Sequence, residues 1–123
     1  MTGESILIVE DDGVIALGLM ELLERNAYRV AGTPARGEDA VKIAGADPPD
    51  LILMDIELMG MIDGIETARQ IREHADIPII YLTAYADNQR ISRAKETVPY
   101  SYLIKPYNER ELLAAVEMAL YRQ

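Results

Sequence analysis

The sequence predicts an α/β fold, a three-layer sandwich in which five parallel strands are covered by helices on both faces. Three observations predict it. Short apolar runs alternate with segments of helical period five times along the chain. The runs at Ser5–Val9, Leu51–Asp55 and Ile77–Thr83 are nearly continuous in apolar residues, as strands buried on both faces require. The segments between strands are long enough for parallel crossovers, which are right-handed.

Ser5–Val9 (SILIV) is the first strand, and three acids follow it: Glu10, Asp11 and Asp12. Asp12 is placed to cap a helix over Gly13–Asn26, where Val14, Leu17, Leu19, Leu22 and Leu23 recur at helical spacing. Tyr28–Thr33 is a weaker, more polar strand that suits a sheet edge. Gly37–Ala46 reads as a helix with Ala40, Val41 and Ala44 on one face, and Asp47-Pro48-Pro49-Asp50 breaks it. Leu51–Asp55 (LILMD) is the third strand and again ends in an acid. Asp63 and Glu66 have capping-box spacing and open a helix through Ala75, with Ile65, Ala68 and Ile71 inward. Ile77–Thr83 is the fourth strand, with Pro78 near its start, where a missing N–H is tolerated. Asp87–Thr97 is a short polar helix. Tyr100–Ile104 is the fifth strand, ended by Lys105-Pro106. Asn108 and Glu111 repeat the capping-box spacing, and the last helix turns Leu112, Leu113, Val116 and Leu120 inward.

Composition narrows the chemistry. The chain has 123 residues, no Cys and one His (His74), which excludes disulfides, thiol nucleophiles and Cys-ligated metals. Twelve basic against 21 acidic residues give a net charge of −9. That field repels a phosphate backbone, so direct nucleic-acid binding is disfavoured, and cations or basic protein surfaces are the expected partners. No apolar run is long enough to span a membrane and no signal-like segment leads the chain, so a cytoplasmic location is expected. Residues 1–123 read as one domain. The last helix reaches Gln123 without a Gly or Pro stop, as in a piece of a longer multidomain protein, although a frayed terminus would look the same.

In open parallel sheets, ligands bind outside the carboxyl ends of the strands. The first strand delivers Glu10, Asp11 and Asp12 there, the third Asp55, the fourth Thr83 and the fifth Lys105. Each alone has an ordinary explanation as a cap, a turn residue or a solvated charge. Together they argue for a site. Neighbouring strands lie about 4.8 Å apart, so carboxylates ending the first and third would repel and raise one another's pKa values unless a cation relieved them. All-oxygen donors suit Mg²⁺. A cation, an ammonium and a hydroxyl can bind the oxygens of a transferring phosphoryl group, which leaves Asp55 as nucleophile.

The stretches ILIVEDD (6–12), LILMD (51–55), DGIETA (63–68), IPIIYLTA (77–84) and YLIKP (102–106) stand in an order and spacing that resemble the receiver domain of two-component response regulators, from Ile6 to Leu120. The resemblance implies a flavodoxin-like sandwich with strand order 2-1-3-4-5. It also implies reversible phosphoryl transfer from a histidine kinase to Asp55, with Mg²⁺ as cofactor. Asp11 would ligate the metal directly and Glu10 mainly through water. Asp55 would be both phosphoacceptor and ligand, and Glu57 would ligate through its backbone carbonyl. Thr83 matches the switch hydroxyl, and Ala84 the small residue whose N–H faces the phosphoryl group. Lys105 matches the phosphoryl-binding lysine, before a cis bond to Pro106, and Tyr102 the aromatic switch. The implied partners are a histidine kinase or phosphotransfer protein upstream, and a downstream protein or linked output domain. A homodimer through the face of the fourth and fifth helices stays open, with Arg90, Arg93 and Lys95 meeting acids such as Glu109.

Two departures concern the loop after Asp55. Met59 stands where receivers often carry Pro, and Asp63-Gly64 arrives about one residue late. Three other readings compete with it. A pseudo-receiver would keep the fold without phosphorylation, yet every key position is filled. A haloacid-dehalogenase-like, Mg²⁺-dependent phosphohydrolase needs Asp where Glu57 stands. A flavin binder needs a phosphate loop where Glu10-Asp11-Asp12 stands. Some residues read as structural: His74 as a charge near a helix end, and Met54, Met59 and Met61 as packing. Tyr85 could tune water access to the site or simply sit on an exposed loop.

Overall fold

The computed structural model describes residues 3–84 and 88–121, so Tyr85, Asp87 and Gln123 lie outside the described residues. The elements are β1 (Ser5–Val9), α1 (Gly13–Arg25), β2 (Arg29–Gly32), α2 (Gly37–Ala46), β3 (Leu51–Asp55), α3 (Gly64–Arg72), β4 (Ile79–Thr83), α4 (Asn88–Lys95), β5 (Ser101–Ile104) and α5 (Glu109–Tyr121). The strands pair in parallel in the order β2-β1-β3-β4-β5, the expected flavodoxin-like topology.

Side chains alternate across a strand, so each central strand feeds two cores. Ile6, Ile8, Leu51, Leu53, Ile80 and Leu82 pack with Leu19, Leu22 and Leu23 of α1 and Leu112, Val116 and Ala119 of α5. Leu7, Val9, Ile52, Met54, Ile79 and Tyr81 pack with Ala40 and Ala44 of α2, Ile65, Ala68 and Ile71 of α3, and Ala94 of α4. All of β1, β3 and β4 is buried, whereas the edge strands β2 and β5 alternate between partly buried and exposed. Burying each large aliphatic side chain contributes about 1.5–3 kcal/mol, so the central strands form the rigid frame behind the site.

Side chains hold the helix ends. Asp12 caps α1, its Oδ1 accepting from the Val14 and Ile15 N–H groups at 2.9 and 3.3 Å. Asp63 caps α3 through the Glu66 N–H at 2.8 Å, but the Glu66 carboxylate turns to Arg69 and Gln70 instead of reaching back. Asn108 and Glu111 form the reciprocal box, at 3.2 and 2.7 Å.

Some boundaries and faces differ from expectation. α3 stops at Arg72, short of Ala75, and the Arg72 guanidinium donates to the Ile77 carbonyl at 3.1 Å, holding the chain as it leaves the helix. His74 is therefore exposed, just beyond the end of the helix. β4 begins at Ile79, after Pro78, and β2 is confined to Arg29–Gly32. In α1, Val14 and Leu17 are exposed and Ala16 is buried in their place. In α5, Leu113 and Leu120 are only partly buried. Met54 packs in the core, but Met59 and Met61 are 74% and 88% exposed, so the packing reading fails for both.

Candidate functional site

Strand register assembles the site. Val9 pairs with Met54, so Glu10 and Asp55 emerge side by side one residue later. Both are 3% exposed. Thr83 pairs with Ile104, and the Lys105 N–H donates to the Thr83 carbonyl at 2.8 Å, extending that ladder to the same rim. The Lys105–Pro106 bond is cis.

One carboxylate oxygen each from Glu10, Asp11 and Asp55 lies within 4.8 Å of the other two. Lys105 Nζ stands 3.6 Å from Glu10 Oε1 and 3.8 Å from Asp55 Oδ1. Backbone groups hold the acids in place. The Asp12 N–H donates to Glu10 Oε2, the Met59 N–H to Asp11 Oδ2 and the Glu57 N–H to Asp55 Oδ1, each at 3.2 Å. Glu10 Oε1 is buried without a hydrogen-bond partner among the described residues. Burial, and then the neighbouring Glu10 carboxylate, push the Asp55 carboxyl up to about 8, against the opposing pull of Lys105 and the Glu57 N–H. A buried, orphaned oxygen beside two further carboxylates is a donor set that fits a hard divalent cation.

Gly64 explains why the acceptor loop ends as it does. A Cβ on Gly64 would lie 2.1 Å from the Asp55 carbonyl oxygen, so only glycine lets α3 start this close to the end of β3. Asp63, beside it, also accepts from Arg93 of α4 at 3.0 Å.

The Glu57 side chain lies apart from the acid cluster. Its Oε2 accepts the Thr83 hydroxyl at 3.0 Å, its Oε1 faces the Ala84 N–H at 3.5 Å, and Arg90 Nε of α4 lies 3.8 Å from Oε2. Thr83 is buried and Ala84 exposed. Tyr102 is 43% exposed. Beside it a small apolar hollow is lined by Ile56, Thr83, Ile91, Ala94 and Pro99. Tyr107 is half-buried, and its hydroxyl is raised by burial and then by the Glu10 and Asp55 charges, which brings it into the electrostatic reach of the site.

The structure thus brings Glu10, Asp11, Asp55 and Lys105 together and sets Thr83, Ala84 and Glu57 next to them. The side-chain role of Glu57, the partners of Arg90 and Arg93 and the nearness of Tyr107 have no signal in the sequence. The contact between Glu57 and Thr83 spans 26 positions, and no local spacing marks it. Within the chain, Arg90 and Arg93 lie against Glu57 and Asp63, and Glu109 lies 3.8 Å from Arg25.

A family profile described as "Response regulator receiver domain" matches residues 6–117. The chain is 35% identical over 117 residues to the transcriptional regulatory protein PdtaR of Mycobacterium tuberculosis, covering 95% of this chain and 57% of that protein. It thus spans about half the length of the curated relatives it matches. A receiver domain of a modulated diguanylate cyclase from Desulfovibrio desulfuricans superposes with a TM-score of 0.89 at 39% identity, over 96% of this chain and 94% of that one. A CheY-like receiver domain protein from Methanospirillum hungatei superposes at 0.92 and 25% identity, over 98% and 96%. With the five-stranded 2-1-3-4-5 sheet and the profile match over most of its length, this chain belongs to the response regulator receiver domains of two-component systems.

Proposed function

We propose that Asp55 accepts a phosphoryl group from the phosphohistidine of a histidine kinase or phosphotransfer protein. The observation that carries this reading is the convergence of Glu10, Asp11 and Asp55 under the Lys105 ammonium. Asp11 and Asp55 directly, Glu10 mainly through water and the Glu57 backbone carbonyl would hold Mg²⁺, which when bound supplies countercharge for the phosphoryl oxygens.

An Asp55 carboxylate oxygen attacks phosphorus in line. The new O–P bond forms as the donor's N–P bond breaks, and the electron pair of that bond stays with the imidazole. Lys105, already 3.8 Å from Asp55, meets one phosphoryl oxygen, and the Thr83 hydroxyl and Ala84 N–H donate to others. The acyl phosphate carries close to two negative charges. Thr83 moves toward it, and Tyr102 turns into the hollow beside Thr83, reshaping the face of α4, β5 and α5. Swinging the population from 1:99 to 99:1 takes about 5.5 kcal/mol. Hydrogen bonds to a charged group contribute roughly 1.5–3 kcal/mol each, so about two to four reach that figure.

The domain is a phosphotransfer acceptor that assists its own phosphorylation and dephosphorylation, in place of an enzyme that turns over a separate substrate. Residues 1–123 act as one receiver unit in the cytoplasm. A covalently linked output domain or a separate protein reads the changed face, and any contact with nucleic acid belongs to that partner. No described helix is long and apolar enough to cross a membrane.

Phosphoramidate with Mg²⁺ tests the reading by intact mass. Wild type should gain one phosphoryl group, and both Asp55→Asn and EDTA-treated wild type should gain none. No gain with any phosphodonor would leave a pseudo-receiver that works by docking alone. An equal gain in Asp55→Asn would place the acceptor elsewhere.

A further inference from the structure

The Glu57 carboxylate stands where an incoming anion would have to be received. It accepts the Thr83 hydroxyl at 3.0 Å and faces the Ala84 N–H at 3.5 Å. Those are the two donors that the proposed phosphotransfer assigns to phosphoryl oxygens, and on that reading this inference rests. The same Glu57 Oε2 lies 3.8 Å from Arg90 of α4. A carboxylate and a phosphoryl group both offer anionic oxygens, so they compete for the same two donors.

We propose that Glu57 is a positioning residue whose carboxylate holds the place of the phosphoryl group in the resting domain. While it holds Thr83, that hydroxyl is aimed over the β3–α3 loop. When Asp55 is loaded, the phosphoryl oxygens take over the Thr83 hydroxyl and the Ala84 N–H, and Glu57 is released toward Arg90. The exchange links occupancy of the acceptor to the first turn of α4 through one side chain. It also sets a threshold, since part of the gain from binding the phosphoryl group is offset by the bonds Glu57 gives up. The chain extends the same coupling through Arg93, which donates at 3.0 Å to the Asp63 carboxylate at the far end of the same loop.

The test is a beryllofluoride titration in saturating Mg²⁺, followed by NMR at the Thr83 and Ala84 amides in wild type, Glu57→Ala, Glu57→Asp and Glu57→Gln. Glu57→Asp keeps the charge but is one methylene too short to hold Thr83. Before beryllofluoride is added, the Ala84 amide should move away from its wild-type position in the Ala and Asp variants and stay near it in Gln. With beryllofluoride bound, all four should converge. Affinity should tighten by about tenfold in Ala and Asp, equivalent to about 1.4 kcal/mol, and by less in Gln. Unchanged or weaker binding in Ala and Asp overturns the proposal. Tightening in Ala and Gln without tightening in Asp also overturns it, because relief of charge repulsion would then explain the effect. A flat titration in wild type, matching Asp55→Asn, brings down the acceptor reading itself and this inference with it.

Discussion

Lys105 Nζ lies 3.6 Å from Glu10 Oε1, a buried carboxylate oxygen with no hydrogen-bond partner among the described residues. The same ammonium lies 3.8 Å from Asp55 Oδ1, so one lysine is divided between two neighbouring carboxyl groups. The lysine therefore acts as a partial counterion that a divalent cation would have to share.

Lys105→Met should strengthen Mg²⁺ binding several-fold, because the competing positive charge is gone, and should slow phosphorylation by at least an order of magnitude. Calorimetric Mg²⁺ titration and phosphoramidate kinetics check the two halves separately. Weaker Mg²⁺ binding in this variant would mean that Lys105 supports the metal site and does not compete with it.

The Asp55 carboxyl, pushed up to about 8 by burial and Glu10, fixes the sign of a pH effect. Its folded pKa is above its ordinary value of 3.8, so the folded state binds the extra proton between those values. Its contribution to stability is complete below about pH 4 and is lost as pH rises through about 8. Urea unfolding in EDTA should show metal-free wild type losing stability from pH 5 to pH 8. Asp55→Asn should lack that loss and be more stable than wild type at pH 8, by about 2 kcal/mol after relaxation around the rim. Mg²⁺ should restore wild type at pH 8 and do little for Asp55→Asn.

Two glycines make opposite predictions. A Cβ at Gly64 would sit 2.1 Å from the Asp55 carbonyl oxygen, whereas one at Gly18, inside α1, meets nothing within 4 Å. Gly64→Ala should destabilise by about 3 kcal/mol and disturb the acceptor loop. Gly18→Ala should stabilise by about 0.5–1 kcal/mol, as expected for an exposed helix interior. Chemical denaturation of the two variants checks both signs.

The fold was legible wherever burial wrote itself into a continuous run. β1 and β3 have the boundaries their apolar stretches indicate, and α2 ends where Asp47 and the prolines stop it. Amphipathic faces were less legible where a small residue carries the burial. Ala16 is buried in α1 while the larger Val14 and Leu17 face solvent, so side-chain size misdirected the assignment. The end of α3 depends on Arg72 reaching the Ile77 carbonyl, a tertiary contact that no helical period records. At the site, the acids and Lys105 were legible because each stands at or just past the end of a strand. The side-chain contact of Glu57 leaves no mark in the sequence, since its partner Thr83 lies on another strand.

Asp63 should matter more than its ion-pair partner. It caps α3 at 2.8 Å and accepts from Arg93 at 3.0 Å. Asp63→Ala removes both, for a loss of about 1–2 kcal/mol. Arg93→Ala removes only a partly exposed pair, for a loss below about 1 kcal/mol. Thermal unfolding ranks the two, and the reverse order would mean that α4 leans on the β3–α3 loop more than α3 leans on its cap.

The most direct measurement is site mapping of the labelled residue. Wild-type protein is treated with phosphoramidate and Mg²⁺, the acyl phosphate is reduced with borohydride, and the peptides are sequenced by mass spectrometry. The label should fall on residue 55 alone and vanish when EDTA replaces Mg²⁺. A label on another residue, or one at 55 that forms equally well without a divalent cation, would contradict the account.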